Sequence, residues 1–252
     1  AGGEWRPRRN VTVSAGWTRE NRDVDYRQAN EDFDDAEDEE TQLDGYFVRV
    51  SFAPIEGLDL YFSGELNDID DPFTLASPTD STRFRVQGRY RWEGGWGLSA
   101  NYRYADYEND NTDWETDSHQ ADLRVTYTGS RLTLSAGYTY VDVSRSFVQL
   151  VRGDILPFRV DRFDVDYEAD SDFVDGAVTW KLNQRWTLGG SFRYYDNSGS
   201  YDVQRDDARI FAEVEVLDGY LLGLNYRYVD YEEDSFDEFD ADILELSVGR
   251  RW

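Results

Sequence analysis

Four arginines between residues 83 and 91 stand at alternate positions, separated by Phe84, Val86 and other apolar or small residues. They are Arg83, Arg85, Arg89 and Arg91. Because successive side chains of a β-strand point to opposite faces, this spacing puts the four guanidinium groups on one face. Guanidinium is permanently charged and binds carboxylate or phosphate through paired N–H donors. The segment therefore predicts a ladder of arginines that could guide anions.

Alternating segments elsewhere add charged residues to the same predicted face. The predicted pore-lining set is Arg49, Arg83, Arg85, Arg89, Arg91, Arg103, Arg124, Arg193, Arg227, Glu213, Glu215 and Glu245. Charge tracks of this kind select ions in pores. The alternative is that arginines and glutamates pair across a narrow lumen, where they stiffen and close it. Both interpretations are open at this point.

The chain as a whole is strongly acidic, with a formal net charge of −27, and it contains no cysteine. This charge argues against nucleic acid as a partner, since phosphate neutralisation needs clustered lysine and arginine. We expect no cofactor. Carboxylates crowd the segments near 29–42 and 232–240, where they form either a solvated surface facing lipopolysaccharide or calcium ligands. The acidic runs lack the spacing of an EF-hand, so no individual metal ligand is predicted.

Two further segments bear on function. Residues 148–170 mix apolar and basic side chains, and we expect a loop that folds inward as a constriction formed by Arg152, Phe158, Arg159 and Arg162. His119 is the only histidine, and the residue two positions later is Ala121 rather than a serine. Barrel lipases and proteases need a histidine base, and a lone histidine at a strand end predicts no enzyme.

Period-two alternation predicts an all-β fold with twelve strands. These span roughly 10–22, 43–53, 58–68, 81–93, 96–107, 119–128, 131–145, 172–182, 185–197, 207–217, 220–231 and 241–252. Tight turns rich in Gly, Asn or Asp alternate with longer acidic connections, the layout of an antiparallel up-and-down barrel in an outer membrane. Tryptophans beside the tight turns and tyrosines towards the long connections fit two interfacial girdles. We expect one barrel domain over 1–252, with 1–9 as a periplasmic extension and a leader removed before Ala1.

The chain resembles bacterial outer-membrane β-barrels over essentially its whole length. Its ending, Leu244 to Trp252, is similar to the signal that the barrel-assembly machinery reads, in which a terminal aromatic follows alternating apolar residues; Arg250 departs from that pattern. Size and arginine content resemble the KdgM-type acidic-oligosaccharide porins, and the repeated Tyr-x-Tyr-x-Asp segments resemble those of MtrB-like barrels.

The resemblance and the residues together give two hypotheses. The first is an outer-membrane channel for passive diffusion of small hydrophilic solutes, with anions favoured by an arginine-lined lumen. The second is a non-conducting scaffold or adhesion barrel that binds a partner protein through its acidic extracellular loops. In either case outer-membrane lipid, lipopolysaccharide and the assembly machinery are the expected surroundings, with Trp252 as the assembly signal.

Overall fold

A computed structural model describes residues 1–25, 38–70, 77–112, 114–152, 160–217, 219–234 and 238–250. Within these ranges, the side chains of 23–25, 38–40, 149–152 and 160–163 are not described. Across the described ranges, no helix is long and apolar enough to cross a bilayer.

Thirteen strands of the described residues form one antiparallel sheet, in which every strand pairs with its neighbours in sequence. The strands are β1 Gly2–Arg8, β2 Val11–Asp25, β3 Asp38–Phe52, β4 Leu58–Asp70, β5 Asp80–Trp92, β6 Trp96–Asn109, β7 Trp114–Thr128, β8 Leu132–Arg152, β9 Val160–Lys181, β10 Trp186–Gly199, β11 Val203–Leu217, β12 Tyr220–Glu233 and β13 Glu238–Arg250. This order confirms the all-β, up-and-down antiparallel fold, because it contains no crossover connection.

The first strand differs from the sequence prediction. The segment 1–9 was expected to be an extension outside the barrel, but Gly2–Arg8 pair with β2, which makes the number of strands thirteen rather than twelve. The alternation is hidden here because the segment is short and contains Pro7, and because its pairing becomes irregular between Trp5 and Arg8. Proline is tolerated in β1 because Pro7 lies in this irregular stretch, where a missing N–H breaks no regular ladder bond.

The tight turns depend on glycines in the left-handed region. Gly57, Gly94, Gly95 and Gly219 have φ angles of 81°, 86°, 86° and 81°. They lie in the β3–β4, β5–β6 and β11–β12 connections, which are all at the same end of the strands. Only glycine adopts this conformation without steric cost. Strands on the opposite side continue beyond their predicted ends, so several connections there are shorter than expected.

The largest of these changes concerns the predicted constriction loop. Residues 148–152 and 160–170 belong to β8 and β9, which pair with each other: Arg152 stands opposite Val160, and Leu150 opposite Arg162. The inward-folding loop is therefore wrong for Arg152 and Arg162, whose backbones are in strands. The candidates Phe158 and Arg159 lie outside the described residues. Acidity masked the strand: Asp164, Asp166 and Glu168 alternate with Val165, Tyr167 and Ala169 in period two.

Cross-strand pairing collects the apolar side chains on one face of the sheet, called here the apolar face. Its large side chains remain open, with exposed fractions of 49% for Leu123, 45% for Phe192 and 63% for Ile210. Among the hydrophobic residues of the described chain, only Ala169 and Val229 are buried. A water-soluble β-sandwich would bury such a face between two sheets, whereas a barrel presents it to lipid.

Tyrosines of the apolar face meet carboxylates at the ends of the strands away from the tight turns. Tyr140 Oη donates to Asp170 at 2.8 Å, and Tyr226 Oη donates to Asp242. At the other end, the indole rings of Trp92 and Trp96 stack with centroids 6.5 Å apart. The two aromatic bands thus have the positions expected at the two membrane–water interfaces, and the acidic groups begin beyond the tyrosine band.

Candidate functional site

The face opposite the apolar one, called here the polar face, carries every residue of the predicted lining. Direct cross-strand pairs relate them, as with Arg85 and Arg103 or Arg209 and Arg227. The twelve residues on this face are Arg49, Arg83, Arg85, Arg89, Arg91, Arg103, Arg124, Arg193, Arg227, Glu213, Glu215 and Glu245. Their common face follows from register, because residues paired directly across antiparallel strands share a side.

The pair formed by Arg85 and Arg103 concentrates positive charge. The two arginines stand directly opposite each other on β5 and β6, an arrangement that repulsion disfavours unless an anion or solvent compensates it. Arg85 donates through Nε to Asn101 Oδ1 at 3.0 Å and through Nη2 to Gln87 Oε1 at 3.4 Å. Both acceptors are neutral amides, so these bonds orient the guanidinium and leave its charge in place.

Other arginines of β5 are partly neutralised by β4. Arg83 Nη2 lies 2.9 Å from Glu65 Oε1, and Arg91 Nη2 lies 3.5 Å from Asp59 Oδ2. Arg89 stands directly opposite Asp59, whose carboxylate bonds to Arg91 instead. The two outer arginines of the ladder, Arg83 and Arg91, are therefore paired with carboxylates, whereas the inner arginines Arg85 and Arg89 are not bonded to one.

Asp122 on β7 is the acceptor that organises the middle of the polar face. Its oxygens accept from Asn101 Nδ2 at 2.8 Å, from Thr139 Oγ1 at 2.9 Å and from Gln120 Nε2 at 3.1 Å. Because Asn101 also accepts from Arg85, the network joins β5 to β8 through side chains alone. Buried or half-buried networks of this kind fix side-chain positions when each member has a partner.

One ion pair crosses an entire strand. Arg124 on β7 reaches over β8 to Asp175 on β9, with Nη1–Oδ2 and Nη2–Oδ1 distances of 3.0 and 2.6 Å. Gly137 is the β8 residue between them, in register with both. A Cβ at position 137 would lie 2.7 Å from Asp175 Oδ1, so the missing side chain makes the bidentate pair sterically feasible.

The carboxylates near β11 are held by their own neighbours. Glu215 Oε1 accepts from the backbone N–H of Gly219 at 3.0 Å, and Glu245 accepts from Asn225 Nδ2 at 3.2 Å. Asn225 in turn accepts from Arg209 Nε at 2.6 Å. Among the described residues, charges of the polar face thus pair along the wall between adjacent or next-nearest strands.

His119 lies on the apolar face and has both ring nitrogens engaged. Tyr102 Oη is 2.8 Å from Nδ1, and Asp117 Oδ1 is 3.0 Å from Nε2. A histidine that serves as a general base needs a nitrogen within reach of its nucleophile. The histidine instead joins the tyrosine band to the acidic groups beyond it.

Three carboxylates at the outer end of β6 and β7 come close together. Oxygens of Asp106, Glu108 and Glu115 lie within 4.8 Å of one another, on the apolar face beyond the tyrosines. Oxygen donors of this kind suit calcium, although exposed acidic groups often cluster without a metal. Most of the acidic segment 29–42, in which calcium ligands were considered, falls outside the described residues, and the calcium expectation stays a prediction.

Three aspartates of the polar face were not among the predicted lining residues. Asp122, Asp175 and Asp207 share the parity of the predicted arginines on their own or neighbouring strands, so strict alternation could have placed them on the polar face. Alternation does not predict their partners. The pair of Asp175 with Arg124, for example, spans Gly137 and depends on the register of three strands. Trp252, the predicted assembly signal, lies outside the described residues.

Solved outer-membrane proteins share this fold at low sequence identity. The copper transporter OprC matches with a TM-score of 0.66 and 15% identity, over 99% of this chain and 47% of OprC. The siderophore receptor PirA from Acinetobacter baumannii matches at 0.56 and 11%, over 96% and 41%. The ferric yersiniabactin receptor FyuA from Yersinia pestis matches at 0.55 and 11%, over 100% and 56%. The chain thus spans about half the length of these barrels.

Family assignment comes from the sequence. None of the curated proteins matches the chain. The family described as Gram-negative porin matches residues 9–200, which contain most of the strands and all but four of the predicted lining residues. Because this match covers well over half of the chain, the protein belongs to the Gram-negative porin family of bacterial outer-membrane β-barrels.

Proposed function

We propose that the protein is a passive outer-membrane channel for small hydrophilic solutes and that its lumen favours anions. Membership of the porin family supports the channel role in general. The lumen in this proposal is the polar face, since the apolar face with its two aromatic bands suits lipid.

The observation that carries the anion preference is the opposed pair Arg85 and Arg103. Arg85 bonds to neutral amides, and Asp122 acts on Arg103 only through space, so the two arginines and this carboxylate together keep one positive charge at this point of the wall. Rings or tracks of fixed charge raise the local concentration of the opposite ion and so bias permeation. Acidic groups of the strands lie largely beyond the tyrosine band on the other face.

Planar-bilayer recording of a double variant tests this proposal. Arg85→Gln with Arg103→Gln should keep the channel open but lower the chloride-to-potassium permeability ratio by at least about fivefold, since each of the two charges acts on an ion 4 Å away by about 1 kcal/mol in water. Arg131→Gln with Arg185→Gln removes the same charge from two tight turns and should leave the ratio unchanged. Equal ratios in both double variants would contradict the assignment of the arginine pair.

The alternative is a scaffold that binds a partner protein through its acidic loops. It predicts that the reconstituted protein carries no ionic current. Reconstituted protein that gives no current at any voltage, while its β-sheet circular dichroism is intact, would favour that alternative. Lipid of the outer membrane surrounds the barrel in both cases. Contact of the acidic outer ends with lipopolysaccharide, and recognition of Trp252 by the assembly machinery, belong to the proposal.

A further inference from the structure

A groove of about 780 Å³ opens on the polar face between β7 and β12. Four arginines and three aspartates line it, together with aromatic side chains. It borders the Arg85–Arg103 pair, because Gln120, one of its lining residues, stands directly opposite Arg103, and it extends from there towards β12. A groove with convergent charged groups and an apolar wall has the composition of a small-molecule site.

The charges in the groove leave one guanidinium without a bonded carboxylate. Arg193 stands directly opposite both Asp175 and Asp207 in the sheet. Asp175 is bound in the bidentate pair with Arg124, and Asp207 accepts two bonds from Arg227.

Within the part of the chain that the structure describes, Arg193 is exposed and acts on Asp207 only through space, more weakly than Arg227 and Arg205 do. Arg205 also approaches Asp207, at 3.4 Å, so that carboxylate already serves two cations. The set therefore has an excess of one positive charge, which suits a ligand with a single negative charge.

An aromatic shelf lies one step along the strands from Arg193. Phe173 and Tyr195 are directly opposite each other, with ring centroids 4.6 Å apart and an interplanar angle of 31°. Phe173 keeps 40% of its surface exposed. One step of a strand on the same face is about 7 Å, a distance that an arginine side chain can span. The shelf lies on the side of Arg193 away from the tight turns, so a solute entering from that side meets rings first.

We propose that this groove binds a small ring-bearing monocarboxylate, with its ring against Phe173 and Tyr195 and its carboxylate on Arg193. This assignment deepens the proposed channel function and rests on it, since it names the solute class held on the channel wall. An aromatic ring stacks on the shelf through its π-face, and a sugar ring does so through its apolar C–H face. The two sources share the required chemistry of one ring and one carboxylate.

Calorimetric titration of the refolded protein in detergent tests the site without any need for conduction. The probes are benzoate for the aromatic source, glucuronate for the sugar source, and acetate as the ringless control. We expect binding of at least one ring acid, and affinity for acetate well below it. Arg193→Gln should weaken that binding about tenfold, the scale of a charge-assisted hydrogen bond. Phe173→Leu should weaken it about threefold and leave acetate unaffected.

Arg145→Gln is the matched control, because Arg145 is an arginine of the same face that packs over the Trp114 ring, outside the groove. It should bind the ring acid as the parent protein does. Binding of benzoate alone or glucuronate alone supports the site and identifies the source. No binding of either acid, or equal affinity in the parent and Arg193→Gln, overturns the inference. A silent bilayer with intact, Arg193-dependent binding would instead count against the channel function.

Discussion

Gly137 carries a structural role that its lack of a side chain makes easy to overlook. It separates Arg124 from Asp175, whose bidentate contact passes over its Cα. A methyl group there would approach both partners within 2.8 Å, so the ends of both side chains would have to shift and loosen their contact. The residue type is thus explained by the ion pair above it rather than by backbone conformation, since Gly137 has no positive φ.

Gly137→Ala should be less stable to unfolding than Gly176→Ala by up to about 1 kcal/mol, the worth of a partly exposed ion pair that the added methyl group loosens. Urea titration of the refolded protein measures the change. Gly176→Ala is the control, because a Cβ there would find its nearest neighbour, Ser135 O, at 3.9 Å. If the two alanine variants were equally stable, the glycine would not be making room for the ion pair.

The turn between β5 and β6 offers a sharper comparison of two adjacent glycines. Gly94 and Gly95 both have φ of 86°, but an added Cβ meets nothing at Gly94 and meets Thr128 O at 2.2 Å at Gly95. Gly94→Ala should cost about 1–2 kcal/mol from backbone strain alone. Gly95→Ala should cost clearly more, because it also disrupts the Thr128 N–H to Gly95 O bond of 2.8 Å. Unfolding midpoints of the two variants in guanidinium check this order; the reverse order would contradict the turn geometry.

The β8–β9 hairpin replaces the inward loop that composition suggested, and a disulfide can report which is present. Ser146 and Asp166 are directly opposite in the register. Ser146→Cys with Asp166→Cys should therefore oxidise readily, since opposite residues lie within the Cα separation that a disulfide bridges.

Ser146→Cys with Asp164→Cys shifts one partner a step along the strand and should cross-link poorly, because diagonal neighbours are about 7–8 Å apart. Non-reducing electrophoresis compares the two double variants. Preferential cross-linking of the shifted pair, or of neither pair, would show that 146–166 does not form the hairpin.

Sequence periodicity predicted the strands with apolar faces well and the acidic strands poorly. β5, β6 and β10 alternate apolar with polar residues, and their predicted bounds are within a few residues of those found. The outer half of β9 alternates aspartate and glutamate with Val165, Tyr167 and Ala169, and composition alone made it look like a loop. An apolar, lipid-facing side could not reveal this part of β9 as a strand, because it lies beyond the tyrosine band, where both faces of the sheet can be polar.

Charge is distributed unevenly over the whole molecule. The chain has a net charge of −27, yet all four charged residues that β5 puts on the polar face are arginines. Period two places each residue on a face and so predicted this asymmetry from the sequence. It could not predict which arginines are neutralised, because that depends on the neighbours that register brings opposite them: Glu65 on β4 stands opposite Arg83, and Ser63 stands opposite Arg85.

In the proposed channel the charge of the wall, rather than the charge of the whole chain, decides which ions pass. Reconstitution of the unmodified protein in a planar bilayer under a KCl gradient, followed by measurement of the reversal potential, tests it most directly. The arginine-rich polar face predicts a potential of the sign that chloride permeation produces, most strongly at low salt, where fixed charges are least screened. A potential of the opposite sign, showing that potassium passes more readily, would contradict the account.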